Sequence, residues 1–293
     1  LPTRLESISL SFLVDSMSKQ RGGIAPNIAY TMALLGRKPR VMATVGMDFE
    51  DYREWLEAKG VDTSLMKVVT GLFTASFFAT TDHASAQIAS FYPGAMAHSA
   101  TQSIKELDKK PDLVVVSPSA PDAMMKFPAE CRALGIPYLY DPSQQILRLE
   151  GNELARDMEG AEFLFCNDYE FGLISKKTGW SLDQILEHVK VLVITRGKDG
   201  ADLYTDGISV HIPTVPEDEI VDPTGVGDAF RGGFLSGYSH GFDWKLCGEI
   251  GSLAAVYCLE QKGPQSHAYT REDFVNRFRK HFDDDKKLDT LLK

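Results

Sequence analysis

Ile220-Val221-Asp222-Pro223-Thr224-Gly225-Val226-Gly227-Asp228-Ala229-Phe230-Arg231-Gly232-Gly233-Phe234 reads as a short apolar entry, a tight glycine turn and a helix start. Gly225 and Gly227 let the backbone turn without Cβ clashes. Apolar residues at helical spacing from Asp228 to Tyr238 predict a helix beginning near Gly227. The first turn of such a helix offers unpaired N–H groups and a positive dipole end, which suits a phosphate or a phosphoryl group in transfer. Asp228 at the mouth of an anion site makes sense as a base that takes a proton from a substrate hydroxyl. It makes equal sense as a helix cap, and spacing alone does not choose. Arg231, three positions on, either faces the same pocket or is a surface charge, and the surface is the expectation carried forward. A P-loop string is absent, and Phe230 stands where a dinucleotide fingerprint needs its third glycine.

Working outward, the strands and helices sort into two parts. From about residue 112 short apolar strands (113–116, 138–140, 163–166, 191–195) alternate with helical stretches (121–134, to about 157, 169–177). That pattern implies a parallel sheet covered on both faces, with ligands at the carboxyl ends of the strands. Two hairpin-like strands follow residue 199, and helices are expected near 228–240, 244–262 and 271–282. The front half differs. Residues 7–14 alternate like a half-exposed strand, and 73–80 and 87–92 are rich in β-formers around a polar turn at 82–86. These suggest a small separate sheet. Between them, Pro26 and Gly36 bracket a helix, residues 40–45 form a strand, and 48–59 form an amphipathic helix.

Composition narrows the partners. A chain of 293 residues, 43% hydrophobic and 25% charged, can bury a sizeable core. A net charge of -10 argues against nucleic acid or an anionic membrane as the main partner. No apolar run approaches a membrane span. Cys131, Cys166, Cys247 and Cys258 are widely spaced, which fits reduced buried thiols and a cytoplasmic location rather than zinc or disulfides.

The string Asp222 to Phe230 resembles the C-terminal signature of the ribokinase-like (PfkB) family of sugar and nucleoside kinases. The resemblance implies one ribokinase-like three-layer α/β/α domain over 1–293, with a small β-sheet lid from about 7–20 and 61–92. It implies Asp228 as base and the amides of Gly225, Val226 and Gly227 as an anion hole. Gly22, Gly23 and Asn27 match the family's N-terminal signature, where the diglycine and the Asn amide meet the sugar; a turn and a helix cap explain the same residues without it. Asn167 and Glu170 match the family's Asn-x-x-Glu, which holds the water shell of Mg²⁺ beside ATP, and they equally form a helix cap. Thr195 and Gly197 match a family segment that touches the nucleotide, as Asn167 and Thr224 are expected to, and a plain hairpin turn explains the same two residues without it. Asp222 resembles the residue that shapes the anion hole, often beside a monovalent cation such as K⁺. Gly46 and Asp48 match the family's Gly-x-Asp; Asp48 could simply cap the next helix, and a structural role is expected ahead of a substrate contact.

Two segments are closer to bacterial adenosine kinases: Gln87 to Met96, and Glu260 to His267 with Pro264 in place of Thr. Pro264 removes a backbone donor and a hydroxyl. Phe73, Phe77 and Phe91 offer a stacking face for a purine, and the same alternation would also serve a lid core or a dimer seam. The expected reaction is ATP-dependent phosphorylation of a nucleoside 5′-hydroxyl, foremost that of adenosine. A sugar kinase and an idle nucleoside-binding protein are the rivals, and the protein is expected as a monomer or a homodimer through the lid. Family members open with a strand carrying a sugar-binding Asp. Nothing before Gly22 supplies it, Asp15 lying in lid-like sequence, so the chain is expected to lack its first segment.

Overall fold

The computed structural model describes residues 13–81 and 87–293. Helix α1 (Ile24–Leu34) starts after Gly23 and is followed by β1 (Ala43–Val45), α2 (Glu50–Ala58) and β2 (Met66–Val68). β3 (Ser76–Thr81) and β4 (Gln87–Tyr92) come next. The alternating part holds β5 (Val114–Val116), α3 (Pro121–Leu134), β6 (Tyr138–Tyr140), α4 (Gly151–Met158), β7 (Ala161–Asn167), α5 (Asp168–Thr178), α6 (Leu182–Leu186) and β8 (Val189–Thr195). The hairpin β9 (Ala201–Thr205) and β10 (Ile208–Ile212) leads to α7 (Val226–Ser239), α8 (Trp244–Leu259) and α9 (Arg271–Phe278).

The main sheet has the order β10-β9-β8-β7-β6-β5. β5 to β8 run parallel, and β9 and β10 are antiparallel additions. The period of two along each strand sends its apolar residues to two cores. Leu164, Cys166, Leu192 and Ile194 pack on one face, with residues of α3, α4 and α5. Phe163, Phe165, Val191 and Val193 pack on the other, with Ile28 of α1 and Phe230 and Phe234 of α7. Each such burial contributes about 1.5–3 kcal/mol, so the two faces fix the three layers. All four cysteines are buried within the layers, as expected.

α7 is held from both sides. A Cβ on Gly232 would lie 2.8 Å from the Ile28 carbonyl oxygen of α1, and one on Gly233 would lie 2.7 Å from that of Ile250 in α8. Only glycine permits backbones so close, and the helix that carries Asp228 is therefore tightly seated.

The small-sheet expectation is corrected in three places. β2 pairs in parallel with β1, so residues 61–70 belong to a β1-α2-β2 unit. A lid is left that consists of the antiparallel pair β3-β4 among the described residues. Residues 13–20 form no strand, while 7–12 and the turn at 82–86 lie outside the described residues. Phe73 precedes β3 in a loop, because its backbone passes so close to Gly46 and Gly94 that a Cβ on either would meet it at 2.2 Å. Helix α6 was not anticipated; Ser181 and Gln184 close a capping box on it.

Candidate active site

The glycine turn is built from residues distant in sequence. Gly225 sits in the left-handed region with φ 82°, and a Cβ there would lie 2.3 Å from Pro264 Cβ. Both the conformation and the space therefore require glycine. Asp222 braces the turn: Thr224 N donates to its Oδ1 at 2.9 Å and Gly263 N to its Oδ2 at 3.0 Å. Burial pushes the Asp222 carboxyl up, but these bonds outweigh it and hold the group below its usual range. Among the described residues the amides of Gly225 and Gly227 have no acceptor, while Val226 N reaches the Pro223 carbonyl at 3.4 Å. With the Asp228 amide, which also has no acceptor among the described residues, these donors stand open at the amino end of α7, as an anion hole requires.

Asp228 lies in the first turn of α7, buried. Asn27 Nδ2 donates to its Oδ2 at 2.8 Å, and Oδ1 accepts no hydrogen bond among the described residues. Burial pushes this carboxyl above its ordinary range; Arg231 and Asn27 pull it back in part, and Glu170 adds to the rise. A carboxylate with one oxygen tethered, one open and a raised proton affinity has the properties of a general base.

Asn27 belongs to a chain of amides. Gln265 Nε2 donates to Asn27 Oδ1 at 2.7 Å and to the Tyr52 hydroxyl at 2.6 Å, and that hydroxyl donates to the Gly22 carbonyl at 2.9 Å. The Asn27 amide is thereby fixed with its NH₂ toward the base. Gln265 and Tyr52 received no role from the sequence. Gln265 stood in a segment singled out there, but its partners are reached only through the fold.

Arg231 corrects the expectation of a surface charge. It is buried beside Asp141, with Nη2 donating to Oδ1 at 3.0 Å and Nε 2.9 Å from Oδ2 without hydrogen-bond alignment. Its Nη1 lies 3.8 Å from Asp228 Oδ1. Burial pushes Asp141 up to about 7 while the Arg231 charge pulls the other way. Asp141 itself escaped the sequence reading. The available signal was its place directly after β6, at the carboxyl end of a parallel strand.

On the other flank, Asn167 and Thr195 are register partners at the carboxyl ends of β7 and β8, and Gly197 follows with φ 56°. Asn167 and Glu170 do form the capping box: Glu170 N donates to Asn167 Oδ1 at 2.8 Å, and Asn167 N to Glu170 Oε2 at 2.9 Å. Ser143 Oγ donates to Glu170 Oε1 at 3.2 Å. No group of three or more His, Cys, Asp or Glu that could bind a metal directly occurs among the described residues. One carboxylate and one amide with spare lone pairs fit Mg²⁺ held through its waters, the usual manner for that ion.

Asp48 anchors the root of the lid, its Oδ1 accepting from both Thr74 N and Thr74 Oγ1 at 2.8 Å. Phe77 stands opposite Phe91 in the β3-β4 register. Phe73, Phe77 and Phe91 are 61%, 64% and 56% exposed, so none is used in a hydrophobic core. No helix among the described residues is long and apolar enough to cross a membrane.

Residues 3–271 match the pfkB family carbohydrate kinase. The nucleoside kinase of Methanocaldococcus jannaschii is 30% identical over 276 residues, covering 92% of this chain and 89% of that protein. The nucleoside kinase of Methanothermobacter thermautotrophicus is 32% identical over 272 residues, covering 92% and 87%. The structure of Burkholderia thailandensis nucleoside kinase in complex with inosine superposes with a TM-score of 0.87 at 39% identity, covering 94% of this chain and 90% of that one.

Proposed function

The chain belongs to the pfkB family of carbohydrate kinases, and from that premise we propose that it transfers the γ-phosphoryl group of ATP to the 5′-hydroxyl of a nucleoside. Adenosine is the acceptor proposed first. The inosine complex of the Burkholderia thailandensis enzyme supports a purine ring in the site. The observation that carries the reading is the pairing of Asp228 Oδ1, open and raised in proton affinity, with the open amides of Gly225 and Gly227 in the same turn.

In this reading Asp228 Oδ1 takes the hydroxyl proton while Asn27 holds Oδ2. The substrate oxygen forms its bond to the γ-phosphorus as the bond to the β–γ bridging oxygen breaks, and the electron pair leaves on ADP. The Gly225 and Gly227 amides, with Val226 beside them, meet the charge on the transferred group. Gly22, Gly23 and the remaining lone pair and N–H of Asn27 meet the ribose. Asn167, Thr195, Gly197 and Thr224 line the nucleotide side, braced by Asp222, next to which a monovalent cation such as K⁺ would sit. Mg²⁺ bound through water at Asn167 and Glu170 would neutralise phosphate charge.

The lid pair presents Phe77 and Phe91 on one face and Phe78 and Ile88 on the other, all exposed. We assign the first face to the purine, with Phe73 at its root, and the second to another copy of the chain. Phosphorus–proton correlation NMR of the product tests the reading. A phosphate on the 5′-oxygen of adenosine is expected, and a phosphate on the 2′- or 3′-oxygen, or an unmodified nucleoside, would overturn it.

A further inference from the structure

Arg231 is an expensive residue to keep where it is. A buried Arg–carboxylate pair generally holds a fold together no better than well-packed apolar side chains of the same volume. The pair is also imperfect, since Nε faces Asp141 Oδ2 at 2.9 Å without alignment. Its geometry points to a use beyond packing. Asp141 takes the Nε–Nη2 edge of the guanidinium, leaving Nη1 with no hydrogen-bond acceptor among the described residues. Nη1 lies beside the glycine turn, 2.9 Å from where a Cβ on Gly227 would stand. It also lies 3.8 Å from Asp228 Oδ1, outside hydrogen-bond distance.

That spacing is informative. Arg231 and Asp228 share a helix face as an i,i+3 pair, and left alone they would close into a direct salt bridge. Such a bridge would occupy Oδ1, the oxygen the base needs. Asp141, fixed after β6 and fully buried, draws the guanidinium the other way. The result is a cation held next to the base without covering it, with Nη1 beside Gly227 of the turn.

We propose that Arg231 is a further catalytic residue, whose Nη1 donates to an oxygen of the transferred phosphoryl group, and that Asp141 is the positioning residue that holds the guanidinium off Asp228. The proposal rests on the kinase reading above. It adds a side-chain cation to the backbone donors of Gly225 and Gly227, in a place where proton transfer neutralises Asp228 as negative charge spreads over the phosphoryl oxygens.

The test compares the full chain with Arg231→Met, Arg231→Lys and the double variant Asp141→Asn/Arg231→Met, under saturating ATP and varied adenosine. The double variant removes both members of the pair, so Asp141 is not left as a buried charge without its partner, while Asp228 keeps its bond from Asn27; its melting temperature checks that it folds. Loss of one transition-state donor costs about 10²–10³ in kcat. The expected result is a loss of that order in both Met variants, adenosine KM within about threefold of the parent, and partial recovery in Arg231→Lys. If the folded double variant turns over at the parent's rate, Arg231 is only the counter-ion of Asp141 and the proposal falls. A parent chain that transfers phosphate to no acceptor would instead remove the kinase reading, and the proposal with it.

Discussion

The glycine turn of α7 and the β3-β4 lid are made in opposite ways. Around Asp228 every group is tied to a distant segment. Asn27 comes from α1, Gln265 and Pro264 follow α8, and Asp141 follows β6. The lid pairs only with itself among the described strands and exposes Phe77, Phe78, Ile88 and Phe91. Its root is tied at Thr74, which donates to Asp48 Oδ1 and accepts from Gly46 N at 3.0 Å. Under the proposed function the contrast is a division of labour, with the chemistry assigned to a preorganised buried network and the choice of acceptor to exposed aromatic side chains.

Substitutions can break that division, and the largest effect belongs to Asp228→Asn. Removing a general base lowers kcat by about 10²–10⁴. The fold should gain rather than suffer. A carboxyl whose folded pKa is raised binds protons more tightly in the native state, so its ionised form lowers stability as pH climbs from the ordinary carboxylate value through the raised one. Melting curves across pH should show Asp228→Asn gaining on the parent as pH rises, and a gap that is constant with pH would contradict the assigned environment.

Next in size is Gly225→Ala, which meets both a positive φ and the Pro264 ring. Backbone strain of this kind costs about 1–3 kcal/mol. Chemical denaturation should register that loss together with a fall in kcat, because the open amides are displaced. An unchanged kcat would mean the turn does not form the anion hole.

Phe91→Ala should act on the other side of the contrast. The ring is exposed, so stability should change by no more than about 0.5 kcal/mol. Loss of a stacking partner should raise the KM for adenosine by about two- to tenfold, at roughly 0.5–1.5 kcal/mol for an aromatic pair, and leave kcat near the parent value. A fall in kcat alone would blur the division. Smallest of all, Asp48→Asn should weaken the lid root by about 1 kcal/mol of hydrogen bonding. It should appear as faster amide exchange at Thr74 with little change in melting temperature.

Local patterns were legible in the sequence, and contacts across the chain were not. The boundaries of α3 at Pro121 and Leu134 and of β6 at Tyr138 and Tyr140 follow from apolar runs and proline placement, which are local. The turn at Gly225 was readable for the same reason. Arg231 was misread because an i,i+3 relation to Asp228 says nothing about Asp141, ninety positions away. Asn27 was readable as a polar group at a diglycine helix start, but its link through Gln265 to Tyr52 spans more than two hundred residues. Phe73 carried a strand-like pattern that its close approach to Gly46 and Gly94 overrides.

Initial rates of ATP-dependent phosphorylation, with Mg²⁺ and with adenosine, inosine, cytidine, ribose and fructose as acceptors, test the central claim most directly. The account predicts transfer to nucleosides, fastest to adenosine, and its loss in Asp228→Asn. A preference for ribose or fructose, or transfer that survives Asp228→Asn, would contradict it.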